Sequence, residues 1–214
     1  MDKLTIALPK GRLFDPVVEI LDEAGVVNRE LDDDSRKLIL EDEELEIDFL
    51  LSKAVDVHTY VEHGVADLGV VGKDVLLEAG ANVYEVLDLG LGSCRLVVAI
   101  PEEENITSLE ELPSTGRVAT KYVNVAQKFF DQQGIQIEIV KLNGSIEMAP
   151  LVGLSDMIVD ISSTGRTLRE NDLIEIAEIA ESSARLIANR VSYKTQHDRI
   201  KEIIDGIRTA ISKD

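Results

Sequence analysis

Residues 4–25, LTIALPKGRLFDPVVEILDEAG, decide the fold class. Leu4 to Leu8 is an apolar run too short for a helix and reads as a buried strand. Pro9-Lys10-Gly11-Arg12 interrupts it. Phe14, Val17, Val18 and Leu21 then recur at helical spacing, and Gly25 is placed to stop that helix. Strand, turn and helix in so short a stretch is the opening of an α/β fold.

The alternation continues outward. Lys37 to Leu40 and Glu46 to Leu51 read as strands joined by the acidic turn Glu41 to Glu44. A helix over 55–63, a strand over Leu68 to Val71, a helix over 73–79 and a strand over 83–89 follow. A second run starts near Ser93. Its strands are Leu96 to Ile100, Val118 to Thr120, Ile135 to Val140, Met157 to Val159, Ile174 to Ile179 and Leu186 to Val191. Between them Ser108 and Glu111 make a capping box, and 123–133 is a helix ending before Gly134. The last helix, 196–211, aligns Ile200, Ile203, Ile204, Ile207 and Ile211 on one face. The expectation is an α/β protein of two units. Domain I is discontinuous, 1–90 plus a tail 188–214 too short to stand alone; domain II is 91–187. Two such lobes predict a cleft. Gly90-Leu91-Gly92 falls between strands and reads as a hinge.

Composition narrows the function. The 214 residues carry 22 Lys and Arg against 41 Asp and Glu, a net charge of −19. Such a chain repels nucleic acid and anionic membrane at long range, and with 4% aromatics and no Trp it is poorly supplied with stacking platforms for single strands. Cys94 is the only cysteine, which excludes an internal disulfide and a Cys-rich zinc site. His58 and His63 stand five apart, off the spacing that pairs imidazoles on a helix face, and His197 is remote. They read as ordinary surface or packing histidines, with no metal site. No apolar run nears the ~18–20 residues of a membrane span, and Leu4 to Leu8 is no signal peptide. A soluble, reducing, cytoplasmic setting is expected.

Two segments offer chemistry. Asp160-Ile161-Ser162-Ser163-Thr164-Gly165-Arg166-Thr167 follows a strand, and small hydroxyl residues around a Gly can turn successive N–H groups toward a phosphate monoester. Ser162, Thr164 and Thr167 would add hydroxyl donors, and Asp160 would accept from sugar hydroxyls. A polar turn with Thr164 capping a short helix would look the same. Lys10-Gly11-Arg12 stands at the carboxyl end of the first strand, where open α/β sheets bind ligands, and Ser35-Arg36-Lys37 adds two cations before another strand. Here too a solvated, solubilising loop is the alternative.

Read together, these residues resemble ATP phosphoribosyltransferase, the enzyme opening histidine biosynthesis, in its short-form catalytic subunit. The resemblance rests on Leu8-Pro9-Lys10-Gly11-Arg12-Leu13, Asp56-Val57 with Tyr60 to Gly64, Ala66 to Val70 with Gly72-Lys73-Asp74, Ala119 to Tyr122, Gly144 to Glu147, Asp160 to Leu168 and Leu186 to Asn189. The motifs fall in this order, and the match as a whole runs from about residue 3 to 212.

The resemblance implies two periplasmic-binding-protein-like lobes and a reaction in which N1 of ATP attacks C1 of phosphoribosyl pyrophosphate, releasing pyrophosphate. Ser162, Ser163, Thr164, Gly165, Arg166 and Thr167 would anchor the 5′-phosphate. Asp160 and Glu147 would hold the ribose hydroxyls. Arg12 and Arg36 would stabilise the departing pyrophosphate as catalytic residues, with Lys10, Gly11 and Lys53 binding nearby. Magnesium would travel with the pyrophosphate, mostly water-ligated. Motif order points the adenine toward Asp67 to Asp74 and Lys121. Lys53 stands where the resemblance leads one to expect Arg, His58 where it leads one to expect Pro, and Ser163 where some relatives carry a carboxylate. The resemblance further implies a homodimer that joins a regulatory subunit resembling histidyl-tRNA synthetase in a hetero-oligomer. A non-catalytic two-lobed sensor, or a phosphoribosyltransferase for another base, are the rival readings. Asp160 stands alone where most such transferases place two adjacent acids.

Overall fold

The computed structural model describes residues 3–28, 31–32 and 36–212. The elements of the first half are β1 (Leu4–Pro9), α1 (Phe14–Glu23), β2 (Ile39–Asp42), β3 (Ile47–Ser52), α2 (Val57–Glu62), β4 (Leu68–Gly72), α3 (Lys73–Ala79) and β5 (Tyr84–Asp88). Then come β6 (Cys94–Pro101), β7 (Thr115–Thr120), α4 (Val123–Gln133), β8 (Gln136–Lys141), α5 (Met148–Leu151), β9 (Met157–Ser162) and α6 (Arg166–Glu170). β10 (Leu173–Ser182), β11 (Ala184–Ala188), α7 (Ser192–Thr195) and α8 (His197–Ile211) complete the chain. They divide into unit 1, Met1–Leu76 with Gly80–Gly92 and Ser183–Asp214, and unit 2, Leu77–Ala79 with Ser93–Ser182.

Unit 1 is built on a six-stranded sheet of order β2-β3-β1-β4-β11-β5. Its centre is parallel, with β1 between β3 and β4; β2 and β11 run antiparallel to their neighbours β3 and β4. Leu4, Ile6 and Leu8 of β1 are fully buried on one face with Phe14, Val17 and Leu21 of α1 and Ile200, Ile204 and Ile207 of α8. Ala7 faces the other way, against Val57 and Val61 of α2 and Leu76 of α3. The period of two thus feeds two apolar layers, which is why β1 reads as continuously hydrophobic. α8 passes close to the end of α1: a Cβ on Gly206 would lie 3.1 Å from the Ala24 carbonyl oxygen.

Unit 2 repeats the plan on a five-stranded sheet of order β10-β6-β9-β7-β8. β9, β7 and β8 are parallel; β6 and β10 are antiparallel to their neighbours. One face packs Leu96, Val98, Val118 and Val159 under Val125, Ala126 and Phe130 of α4. The other packs Val97, Ala99 and Ile158 against Ile146, Ala149 and Leu168 around α5 and α6.

The structure alters the sequence reading in three places. β2 lies two residues later than expected and takes in Glu41 and Asp42. Buried Asp42 closes the hairpin by accepting the Leu45 N–H at 3.0 Å, so an acid stands where a turn was expected. The strand expected over 186–191 is β11, and it pairs with β4 and β5 in unit 1, so the second unit ends before it and not after 187. It stops at Asn189, whose side-chain oxygen accepts from the Val191 and Ser192 N–H groups and starts α7. Around the expected capping box Glu111 accepts the Thr107 N–H, one residue before Ser108, at 2.7 Å, and Ser108 makes no side-chain cap. Among the described residues no helix is long and apolar enough to cross a membrane.

Candidate active site

In unit 1 the parallel trio β3, β1 and β4 ends along one edge of the sheet, and the chain leaves each strand through a cation: Lys53, Lys10-Gly11-Arg12 and Lys73. β2 enters from the same edge, because it is antiparallel to β3 with Ile39 opposite Leu50. That brings Arg36 and Lys37 to the β3 end, where Leu51 N–H donates to the Leu38 carbonyl at 2.8 Å. Gly11 has φ +92°, a left-handed conformation that suits glycine, and its carbonyl accepts from Phe14 N–H at 2.8 Å to start α1. Lys10 N–H donates to Ser52 C=O at 2.8 Å. Lys10, Gly11, Arg12, Arg36 and Lys53, all expected at a site, therefore share one edge. Arg12, Arg36 and Lys53 are exposed. Among the described residues they enter no ion pair, whereas Lys73 pairs with Glu85 and Arg185 with Asp88.

Asp88 belongs to the same edge. Its burial works against ionisation, but the Gly90 N–H, the Ser183 hydroxyl and the Arg185 charge together hold its carboxyl below the ordinary value.

In unit 2 the parallel strands β9, β7 and β8 also end together. The turns that follow them carry Ser163 to Gly165, Lys121-Tyr122 and Leu142 to Glu147. Buried Thr120 ties two of these ends, its hydroxyl donating to Val159 C=O at 2.6 Å and accepting Tyr122 N–H at 2.8 Å. Asp160 is largely covered; one carboxylate oxygen accepts the Ile161 N–H at 2.8 Å and stands 3.8 Å from the Lys121 ammonium. Lys121 also lies over the Tyr122 ring. Glu147 is half-buried at the start of α5.

The loop after β9 turns at Gly165, φ +69°, directly into α6. Ser163, Thr164, Arg166 and Thr167 are exposed, and Thr164 C=O accepts from the Arg169 guanidinium at 3.0 Å. Ser162, expected to offer a hydroxyl proton, is buried and donates it to Glu175 at 2.7 Å. Arg166 pairs with Glu170 at 2.7 Å.

Asp67, toward which motif order pointed the adenine, lies at the start of β4, the opposite edge. It accepts the Thr5 N–H at 2.8 Å and the Gln196 amide at 3.3 Å, and so joins β1 to α7 and α8. Asn189 of the last motif is structural too: its amide donates to Val61 C=O at 2.7 Å. Three residues escaped the sequence reading altogether. Glu175 and Arg95 join in an ion pair of 2.8 Å beside the loop, and Arg169 braces Thr164. Hydrogen bonding to Glu178 and the Glu175 charge raise Arg95 above its ordinary pKa. Among the described residues no group of three His, Cys, Asp or Glu side chains is placed to hold a metal ion.

The profile of the HisG family, described as ATP phosphoribosyltransferase, matches residues 53–209. The chain is 52% identical over 213 residues to an ATP phosphoribosyltransferase of Halothermothrix orenii, covering 99% of this chain and 96% of the relative. It is 55% identical over 212 residues to that of Caldanaerobacter subterraneus subsp. tengcongensis, covering 99% of each. Among solved structures it resembles the ATP phosphoribosyl transferase (HisG:HisZ) complex from Thermotoga maritima, with TM-score 0.85 and 35% identity over 99% of this chain and 100% of that one. The periplasmic aliphatic sulphonate binding protein SsuA from Escherichia coli, at TM-score 0.63 and 15% identity over 99% of this chain and 69% of that one, shares the fold alone.

Proposed function

The chain belongs to the ATP phosphoribosyltransferase family, and from that premise we propose which of its residues carry the reaction. The activity is transfer of the 5-phosphoribosyl group of phosphoribosyl pyrophosphate to N1 of ATP, the first step of histidine biosynthesis. The N1–C1 bond forms, the bond from C1 to the pyrophosphate oxygen breaks, and pyrophosphate leaves with the electron pair.

The cationic edge of unit 1 carries this reading. Negative charge grows on the leaving pyrophosphate as its bond to C1 stretches, so cations there act on the transition state more than on the ground state. Arg12 and Arg36 serve as the catalytic pair, since a planar guanidinium meets two phosphate oxygens at once. Lys10, Gly11 and Lys53 bind beside them. In unit 2, Ser163, Thr164, Gly165, Arg166 and Thr167 hold the 5′-phosphate, with Ser162 acting from beneath the loop and not as a direct donor. Asp160, flanked by Lys121, and Glu147 accept from the ribose hydroxyls. Magnesium comes with the substrate, mostly water-ligated, and among the described residues no group of three His, Cys, Asp or Glu side chains is placed to cage it; when bound it would screen the pyrophosphate charge.

The chain works in the cytoplasm as a homodimer, and the HisG:HisZ complex of Thermotoga maritima supports a regulatory subunit, resembling histidyl-tRNA synthetase, as its partner in a hetero-oligomer. That partner controls activity only through different affinity for active and inactive arrangements of the chain. The test is direct. Protein, magnesium, ATP and phosphoribosyl pyrophosphate are mixed with and without the partner, and near-ultraviolet absorbance and pyrophosphate release are followed. Both signals rise together, and histidine inhibits only when the partner is present. Pyrophosphate release independent of ATP would overturn the reaction, and potent histidine inhibition of the chain alone would overturn the partner's role.

A further inference from the structure

Three charged groups lie against the loop after β9 without belonging to it. Glu175, in β10, accepts the Ser162 hydroxyl with one carboxylate oxygen at 2.7 Å and meets the Arg95 guanidinium with the other at 2.8 Å. Its first oxygen would stand 3.2 Å from a Cβ on Gly165, so the carboxylate lies directly under the turn. The register of β10 on β6 shifts just after Glu175, and such a bulge re-aims the side chain beside it. Arg169 closes the other flank, with one guanidinium nitrogen 2.8 Å from that same Cβ position and another on Thr164 C=O.

A carboxylate under a phosphate loop carries the wrong sign for the ligand. Here Arg95 offsets it at contact distance, and Glu178 holds Arg95 from the far side at 3.3 Å. Glu175 is therefore paired at contact distance and fixed in geometry, while the trio of Glu175, Arg95 and Glu178 keeps one net negative charge. We propose that Glu175 is a positioning residue for phosphoribosyl pyrophosphate: by holding Ser162 and bearing on Gly165 it sets the loop 163–167 for the 5′-phosphate, while Arg95 cancels its charge. This rests on the reading that the loop binds that phosphate.

The experiment uses the full chain. Calorimetry gives the Kd of magnesium phosphoribosyl pyrophosphate and, separately, of magnesium ATP, and kcat is taken at saturation. Glu175→Ala weakens phosphoribosyl pyrophosphate binding by roughly 10–100-fold, leaves the ATP Kd within about twofold and kcat within about threefold, as expected when only ground-state positioning is lost. Glu175→Gln keeps an acceptor for the Ser162 hydroxyl and recovers most of the affinity. Arg95→Ala leaves the carboxylate uncancelled and weakens phosphoribosyl pyrophosphate binding again. Wild-type affinity in Glu175→Ala, or an equal loss toward both substrates, overturns the proposal. Should Glu175→Ala not fold, Ser162→Ala breaks the same contact from the other side and must show the same selectivity; an equal effect on both substrates overturns the proposal there too. Gly165→Val separates the two levels. If it binds phosphoribosyl pyrophosphate normally, the loop reading itself has failed; if it does not bind while Glu175→Ala does, only the positioning role has failed.

Discussion

At the carboxyl edge of unit 1, Arg12, Arg36 and Lys53 are exposed and enter no ion pair among the described residues. At the carboxyl edge of unit 2 three cations are already engaged, Lys121 with Asp160, Arg95 with Glu175 and Arg166 with Glu170, and exposed Lys141 at the end of β8 matches the unpaired cations of unit 1 among the described residues. What unit 2 offers a ligand is hydroxyls, backbone N–H groups around Gly165 and a covered carboxylate. The contrast separates two electrostatic tasks. A phosphate monoester keeps its charge throughout the reaction, so oriented dipoles suffice to hold it. A leaving group gains charge as it departs, and full cations held ready for it lower the barrier.

The sharpest way to break that contrast is Arg36→Ala. Loss of one preorganised charge donor lowers kcat by roughly 10²–10³-fold, with substrate affinity changed far less. An unchanged kcat in the purified variant removes Arg36 from the reaction. Gly165→Val attacks the other edge. Valine at φ +69° is strained, by about 1–3 kcal/mol, and its Cβ meets the Arg169 guanidinium and Glu175. Calorimetry finds phosphoribosyl pyrophosphate binding lost from a protein that still unfolds cooperatively.

Lys53→Ala sharpens the comparison within unit 1. A compact ammonium cannot fork onto two oxygens, so kcat falls only about 3–10-fold, and the loss shrinks as salt is added. A loss as large as that of Arg36→Ala would show that the two cations are equivalent. The smallest effect is in stability. The Asp88 carboxyl is held below its ordinary value of 3.8 in the folded state, so its contribution is complete above that value and is lost as pH falls through the lower folded value. Thermal unfolding should find Asp88→Asn less stable than the parent at pH 6 and closer to it near pH 3. A gap that widens toward acid reverses the sign.

The parts that could be read from the sequence share a property: they are local. The helix of 123–133 and the strand of Leu4 to Leu8 declare themselves by periodicity and by a following Gly or Pro. The loop at Gly165 could be read because strand, hydroxyls and Gly are contiguous. What could not be read depends on pairing between distant segments. That Arg36 and Lys53 share an edge with Arg12 follows from the hairpin register of β2 on β3 and from β3 lying beside β1. Glu175 reaches Ser162 only because β10, β6 and β9 adjoin in the sheet. The bond from the Thr5 N–H to Asp67 likewise joins neighbouring strands far apart in sequence, which motif order does not reveal. The boundary expected at 187/188 cuts through β11, because an apolar strand carries no mark of its partner.

That strand has a consequence for how the molecule is made. A ribosome delivers β4 early and its neighbour β11 only after all of unit 2 has emerged. The strands of unit 2 all lie within one continuous stretch and pair only with one another, so during synthesis its sheet is complete while that of unit 1 still has an open flank beside β4. Unpaired strand edges are the surface at which nascent chains associate wrongly. Translation arrested between β10 and β11 would thus leave a chain with one finished sheet and one sheet with an adhesive flank beside β4.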